Sequence, residues 1–166
     1  MSRFIIIFTV VLVGLFTLEM LDSVQAAAIQ PFTSWLAMIS AGIIMPFDDG
    51  VIAYGRVIEH TAAQFAVSIE AGCNGVEATI VLIAGVLAFP ATWMQKLAAI
   101  LLGFLAVQAM NILRIISLFY LGQWDLAMFT WTHLYIWPVL IMLDVLIVFI
   151  VYLRYLSRQQ AAVVPI

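Results

Sequence analysis

The sequence predicts an all-α polytopic membrane protein of about four transmembrane helices, with an interfacial helix and a small extracytoplasmic β element before the second span. Three observations predict it. Of 166 residues, 66% are hydrophobic and 9% charged, too little polar surface to clothe a soluble domain of this length. Four stretches, about 4–21, 75–93, 97–121 and 133–153, approach or reach the roughly 20 mostly apolar residues that a spanning helix needs. The charges also divide by side. Arg3, Lys96, Arg154 and Arg158 fall on one side of those spans. Glu19, Asp22, Asp48, Asp49, Glu59, Glu70 and Asp125 fall on the other, with Arg56 the clear loop base among them. Because Lys and Arg mark the cytoplasmic side, both termini are expected inside and the segment 22–74 outside.

Each element follows in order. The first span is uncharged from Phe4 to Leu18; it could also be read as a signal peptide, since Val24-Gln25-Ala26 resembles a cleavage site. Residues 29–45 (IQPFTSWLAMISAGIIM) are apolar but short and carry Pro31, which favours an interfacial helix over a fifth span. MPFDDG at 45–50 reads as a turn and Val51 to His60 as a weak strand. Phe65, Val67, Ile69 and Ala71 alternate with Ala66, Ser68 and Glu70, the period of a half-buried strand. The second span starts at Gly75 and carries Pro90 near its end; a short turn with Lys96 leads into the third. Trp124, Trp131, Tyr135 and Trp137 read as an interfacial aromatic belt around the start of the fourth. With no internal repeat visible, residues 1–166 form one domain.

Composition also excludes. A net charge of −3 offers no basic surface for nucleic acid. One cysteine permits no intramolecular disulfide, and with two histidines it makes a poor zinc ligand set. No metal or dissociable cofactor is expected.

The residues that could carry chemistry lie at one face of the membrane. Cys73 stands in EAGCNGVE (70–77), between Gly72 and Gly75 and just before a helix start. Asn74 and Glu77 have the spacing of a capping box, and the dipole of the helix that follows would favour the thiolate. In the third span Gln108, Asn111 and Arg114 step by three along one face. An arginine there is costly unless it snorkels or pairs, and a snorkelling side chain needs no polar company. His133 opens the fourth span. His60 is expected to be solvated. Asp144 lies eleven residues after His133, on nearly the same helical face and about 16 Å deeper, and has no assigned role.

Taken singly, each has a bland reading: a small buried hydrophobe, a snorkelling arginine, an amphipathic anchor. Jointly, a thiol, an imidazole and a guanidinium from three successive spans make a workable acyl-transfer set, with Cys73 as nucleophile, His133 moving protons and Arg114 facing an oxyanion.

These residues resemble the signatures of the exosortase/archaeosortase family of membrane cysteine transpeptidases. GCNG at 72–75 matches the family's Cys-Ser/Asn-Gly, NILRI at 111–115 its Asn-x-x-Arg, and His133 its histidine at the last helix, across roughly residues 50–150. The small size resembles the short exosortase H-type members. The resemblance implies a protein-sorting enzyme of the bacterial inner membrane. Its partners would be exported proteins bearing a C-terminal motif, a transmembrane helix and a basic tail. Cys73 would attack the scissile carbonyl to form a thioester, with Asn111 supporting Arg114 and Asn74 belonging to the cysteine motif. An amine on a lipid or envelope component, or water, would release the product. The β element could receive the extended motif by strand addition. The alternative is a non-catalytic membrane assembly subunit whose polar residues hold helices together.

Overall fold

Apolar length decides the long elements of the computed structural model, which describes residues 2–163. α1 (Ser2–Glu19) is followed by a helical run, Asp22–Ile44, made of α2 (Asp22–Val24), a π-helical turn at Gln25–Ile29 and α3 (Gln30–Ile44). After three strands come α4 (Val76–Ala88), α5 (Trp93–Trp124) and α6 (Leu126–Trp131). A second π-helical turn, Thr132–Ile136, joins α6 to α7 (Trp137–Val163). Among the described residues, four stretches are long and apolar enough to cross a membrane: Ser2–Glu19, Asp22–Ile44, Trp93–Trp124 and Leu126–Gln159. The chain is thus an integral membrane protein of the expected class, helical with a small β element.

Two element bounds differ from expectation. The apolar stretch 75–93 forms α4, a helix of only 13 residues. At 1.5 Å per residue it is about 20 Å long, short of the roughly 30 Å hydrocarbon layer. Extended Phe89 and the proline after it end the helix. α4 is apolar because Leu82, Ala84, Gly85 and Val86 are buried against other helices, and apolar sequence alone does not separate burial in protein from burial in lipid. Residues 29–45 belong to the 23-residue run Asp22–Ile44. Pro31 lies in the first turn of α3, where its missing N–H interrupts no helical bond.

The segment expected as one weak strand is a hairpin. β1 (Val51–Tyr54) and β2 (Val57–His60) reverse around Gly55, whose φ of 53° favours glycine. β3 (Phe65–Ser68) pairs antiparallel with β2, giving the order β1-β2-β3. His60 is not the solvated loop residue expected. It lies 3.2 Å from Asp48, accepts from Ala63 N at 3.1 Å, and packs under Gly50, where a Cβ would come within 2.6 Å of its ring. It pins the hairpin.

Apolar side chains gather in two clusters. The inner one joins α4, α5 and α7 through Leu82, Val86, Val107, Ile141, Val145 and Tyr152. Trp137 belongs to it at 6% exposure, so it is a core residue and not part of the aromatic belt; Trp124, Trp131 and Tyr135 are exposed as expected. The outer cluster joins α3, the sheet and the far end of α5 through Ile44, Val51, Ile58, Ile69, Ile115 and Phe119. At the opposite end of the bundle, Thr92 and Gln95 form a reciprocal capping box for α5, and Lys96 Nζ donates to Leu87 O at the end of α4. That completes the tight turn between the two helices.

Candidate active site

Cys73 is held by a turn and two glycines. Its N–H donates to Glu70 O at 3.0 Å. Gly72 (φ 84°) and Gly75 (φ 76°) both occupy the left-handed region, where a side chain would be strained. Asn74, fully buried, stands one residue before the N-cap position, which Gly75 occupies without a side-chain bond of its own. Asn74 Oδ1 nevertheless accepts from Val76 N, the first N–H of α4, at 3.0 Å, and its Nδ2 donates to Thr33 Oγ1 of α3 at 3.2 Å. The two consecutive small steps Asn74-Gly75 let the chain turn before the helix begins, and that turn displaces the capping box. Glu77 lies beneath Gly72, with its Oε1 3.8 Å from where a Cβ would stand.

Two further elements converge on the sulfur. Arg114, buried at 7% exposure on α5, places its NH2 3.4 Å from Cys73 Sγ and its NH1 3.5 Å from Gly72 O. His133, in the π-helical turn before α7, places Nε2 3.9 Å from Sγ. Its ring stacks on Phe129 with centroids 5.7 Å apart and planes 2° from parallel. The side facing away from sulfur, Nδ1, is buried with no hydrogen-bond partner among the described residues. The three candidate residues from three elements therefore meet, and the imidazole is oriented by stacking and not by a carboxylate.

Electrostatics at the thiol differ from the simple helix-dipole expectation. Burial pushes the Cys73 thiol above its ordinary range; the Arg114 guanidinium pulls it down, while Glu77 and Glu70 add to the upward push. The net direction is up, opposite to the thiolate that the helix dipole alone would favour.

Asn111 belongs to the cluster by a different route from the one expected. Neither of its amide atoms is hydrogen-bonded to Arg114 or to any other described group. Fully buried Asn111 and Gln108 (6% exposed) lie side by side beneath Gly75, where a Cβ would come within 2.9 Å of Gln108 Nε2 and 3.4 Å of Asn111 Cγ. The stripe 108–111–114 thus has two functions on one face: carboxamides under the turn and guanidinium at the sulfur. Thr33 and Phe129, which hold Asn74 and His133, carry no sequence signal that would have singled them out. Asp144 stands apart, with Oδ2 buried and without a hydrogen-bond partner among the described residues.

The fold and this site define a class: a helical membrane protein with a cysteine, an arginine and a histidine assembled at one end of the bundle. A family model for the transmembrane exosortases, Exosortase_EpsH, matches residues 2–151, and the chain belongs to that family. No curated protein and no solved structure gives a significant match.

Proposed function

We propose that the chain is a membrane-embedded cysteine peptidase or transpeptidase that cleaves a C-terminal sorting signal from exported proteins. The observation that carries this reading is the approach of Arg114 NH2 (3.4 Å) and His133 Nε2 (3.9 Å) to the Cys73 sulfur. A sulfur–nitrogen distance of this length is loose, as catalytic contacts often are before substrate binds.

The chemistry follows from the charges. With the imidazole neutral and its proton on Nδ1, Nε2 accepts the thiol proton as Sγ bonds to the scissile carbonyl carbon. The carbonyl oxygen takes the negative charge and Arg114 stabilises it. Nε2–H then protonates the leaving amine, the C–N bond breaks, and a thioester remains on Cys73. A second nucleophile, an envelope or lipid amine or else water, loses its proton to His133 and attacks the thioester, which frees the thiol. Asn111 and Asn74 hold the turn that presents the sulfur.

The orientation belongs to the same reading. Lys96 lies 18 residues before Arg114 on α5, and Arg154 lies 21 after His133, roughly one bilayer thickness at 1.5 Å per residue. With those basic residues inside, the thiol faces the extracytoplasmic side of a bacterial inner membrane. Both termini are then cytoplasmic, which requires α4 to run from the thiol end to the Lys96 end between α1 and α5 while Asp22–Ile44 stays at the outer face, and residues 1–166 act as one domain.

The test is mass spectrometry of envelope-protein C-termini in wild-type cells and in cells carrying Cys73→Ala. Loss of a C-terminal helix and basic tail from one or more exported proteins, in wild type alone, is the expected result. Identical profiles with a stably inserted variant would replace this reading with that of a non-catalytic assembly subunit.

A further inference from the structure

The strand nearest the nucleophile has an open edge. In the order β1-β2-β3, β3 has a neighbour on one side only. Its pairing register with β2 is Val57↔Ser68, Ile58↔Val67, Glu59↔Ala66 and His60↔Phe65. Ile69 N donates to Arg56 O at 2.9 Å, which makes Arg56 and Ile69 a hydrogen-bonded pair. Alternation in an antiparallel ladder then makes Ile58–Val67 and His60–Phe65 bonded pairs too. The main-chain N–H and C=O groups of Ala66 and Ser68 therefore point away from β2. Among the described residues no other strand pairs with them.

Three features suit this edge to a visiting peptide. Both residues are exposed, while Phe65 and Val67 turn their side chains toward the outer cluster. The edge has no proline, lysine or bulge of the kind that blunts a strand against pairing. Ser68 is five residues from Cys73, at most about 17 Å of extended chain, and the turn closed by Cys73 N and Glu70 O shortens that path. Ala66 and Ser68 are also small, so a strand laid beside them finds room for larger side chains at alternate positions.

We propose that the edge of β3 receives the substrate as an added strand, with Ala66 and Ser68 supplying main-chain donors and acceptors to the peptide segment next to the scissile bond. This rests on the peptidase reading above. It names the recognised class: an extended peptide with free amides at every second position and no proline at those positions. Affinity comes from the main chain, and selectivity comes from side chains that fit over Ala66 and Ser68.

The probe is a synthetic peptide copying the cleaved segment of an exported protein identified from its C-terminus, made with one N-methyl group at successive backbone amides. The readout is its Cys73-dependent cleavage by the full-length protein in lipid nanodiscs. Methylation at alternate amides should lower cleavage about tenfold, and methylation at the intervening ones should change it little. Ala66→Pro and Ser68→Pro should cause comparable losses, because their N–H groups serve no internal bond. Alkylation of Cys73 by iodoacetamide should stay at the wild-type rate in both. Val67→Pro, which removes a β2 bond, should slow cleavage and disturb alkylation together. Intact cleavage without period-two sensitivity overturns the proposal and leaves the peptidase reading standing. No Cys73-dependent cleavage of the unmethylated peptide overturns both. Efficient disulfide dimerisation of a Cys73→Ala, Ser68→Cys variant would assign the edge to a second copy of the chain and also overturn the proposal.

Discussion

The inner and outer clusters of this protein are both apolar, yet they are held by different physics. The inner cluster is helix on helix. In lipid no hydrophobic effect draws such helices together, so close packing at small residues carries the association. Gly103 of α5 meets Leu82 of α4 and Val148 of α7, and Gly85 of α4 meets Phe149 of α7. The outer cluster packs a sheet on α3 and the end of α5; in the orientation proposed above it stands in water, where burial of apolar surface supplies the driving force. Cys73 packs against the outer cluster, and Phe129, the platform for His133, against the inner one. Arg114 sits on α5, which contributes to both. The site is therefore assembled only when the two clusters are correctly docked, and the two can be perturbed separately.

The largest effect should come from a change that removes one sulfur atom at the margin of the outer cluster. Cys73→Ala should abolish cleavage by roughly 10⁴-fold or more while leaving insertion and thermal stability near wild type, measured by product formation and by melting in nanodiscs. Arg114→Lys keeps the charge of the helix they share but loses the two-pronged reach to Sγ and Gly72 O; cleavage should fall about 10²-fold. Arg114→Ala adds a pH signature. Burial already holds the Cys73 thiol above its ordinary range and the guanidinium opposes this, so its removal should shift the midpoint of Cys73 alkylation to higher pH. Slower alkylation at neutral pH, recovering as pH rises, is the expected profile; an unmoved midpoint would separate Arg114 from the thiol.

Gly75→Ala tests the outer side of the site. The left-handed φ and the 2.9 Å approach of Gln108 Nε2 should together cost about 1–3 kcal/mol and lower cleavage by about tenfold. Adding Gln108→Ala should return part of the loss, since it relieves the contact but not the backbone strain. The smallest effect on chemistry should come from the inner cluster. Gly103→Val would drive a Cβ against Leu82 Cδ2 and lower thermal stability by about 1–3 kcal/mol. The alkylation rate of Cys73 per folded molecule should not change. A change there would mean that strain in the inner helices reaches the sulfur.

Much of this was legible in the sequence, for reasons that can be named. Composition revealed the membrane, period-two alternation revealed β3, and charge isolated Arg114 within an apolar helix. What stayed hidden depended on contacts between distant segments. Nothing in 75–93 distinguishes a buried 13-residue helix from a lipid-facing one. Trp137 reads like its exposed aromatic neighbours until the inner cluster shows which face it takes. Asn74 has the right spacing for a cap, and its Oδ1 does take the first N–H of α4, but the left-handed turn at Gly75 and the bond from its Nδ2 to Thr33, 41 residues away, have no local signal. The π-helical turn around His133 has no pattern of its own in the chain.

That turn has a consequence for how the protein can vary. A π-helical turn holds one residue more than an α-helical one, so it advances the chain by about 100° relative to a continuous α-helix. It also removes the simple alignment of His133 with Asp144 expected from a spacing of eleven. The imidazole's direction and the packed stripe of α7 (Trp137, Ile141, Val145, Tyr152 and Leu156) are set as two separate dials. A bundle with a different inner stripe, or a helix rotated to suit a thicker or thinner bilayer, could keep the same ring above the same sulfur by moving that one surplus residue along the chain.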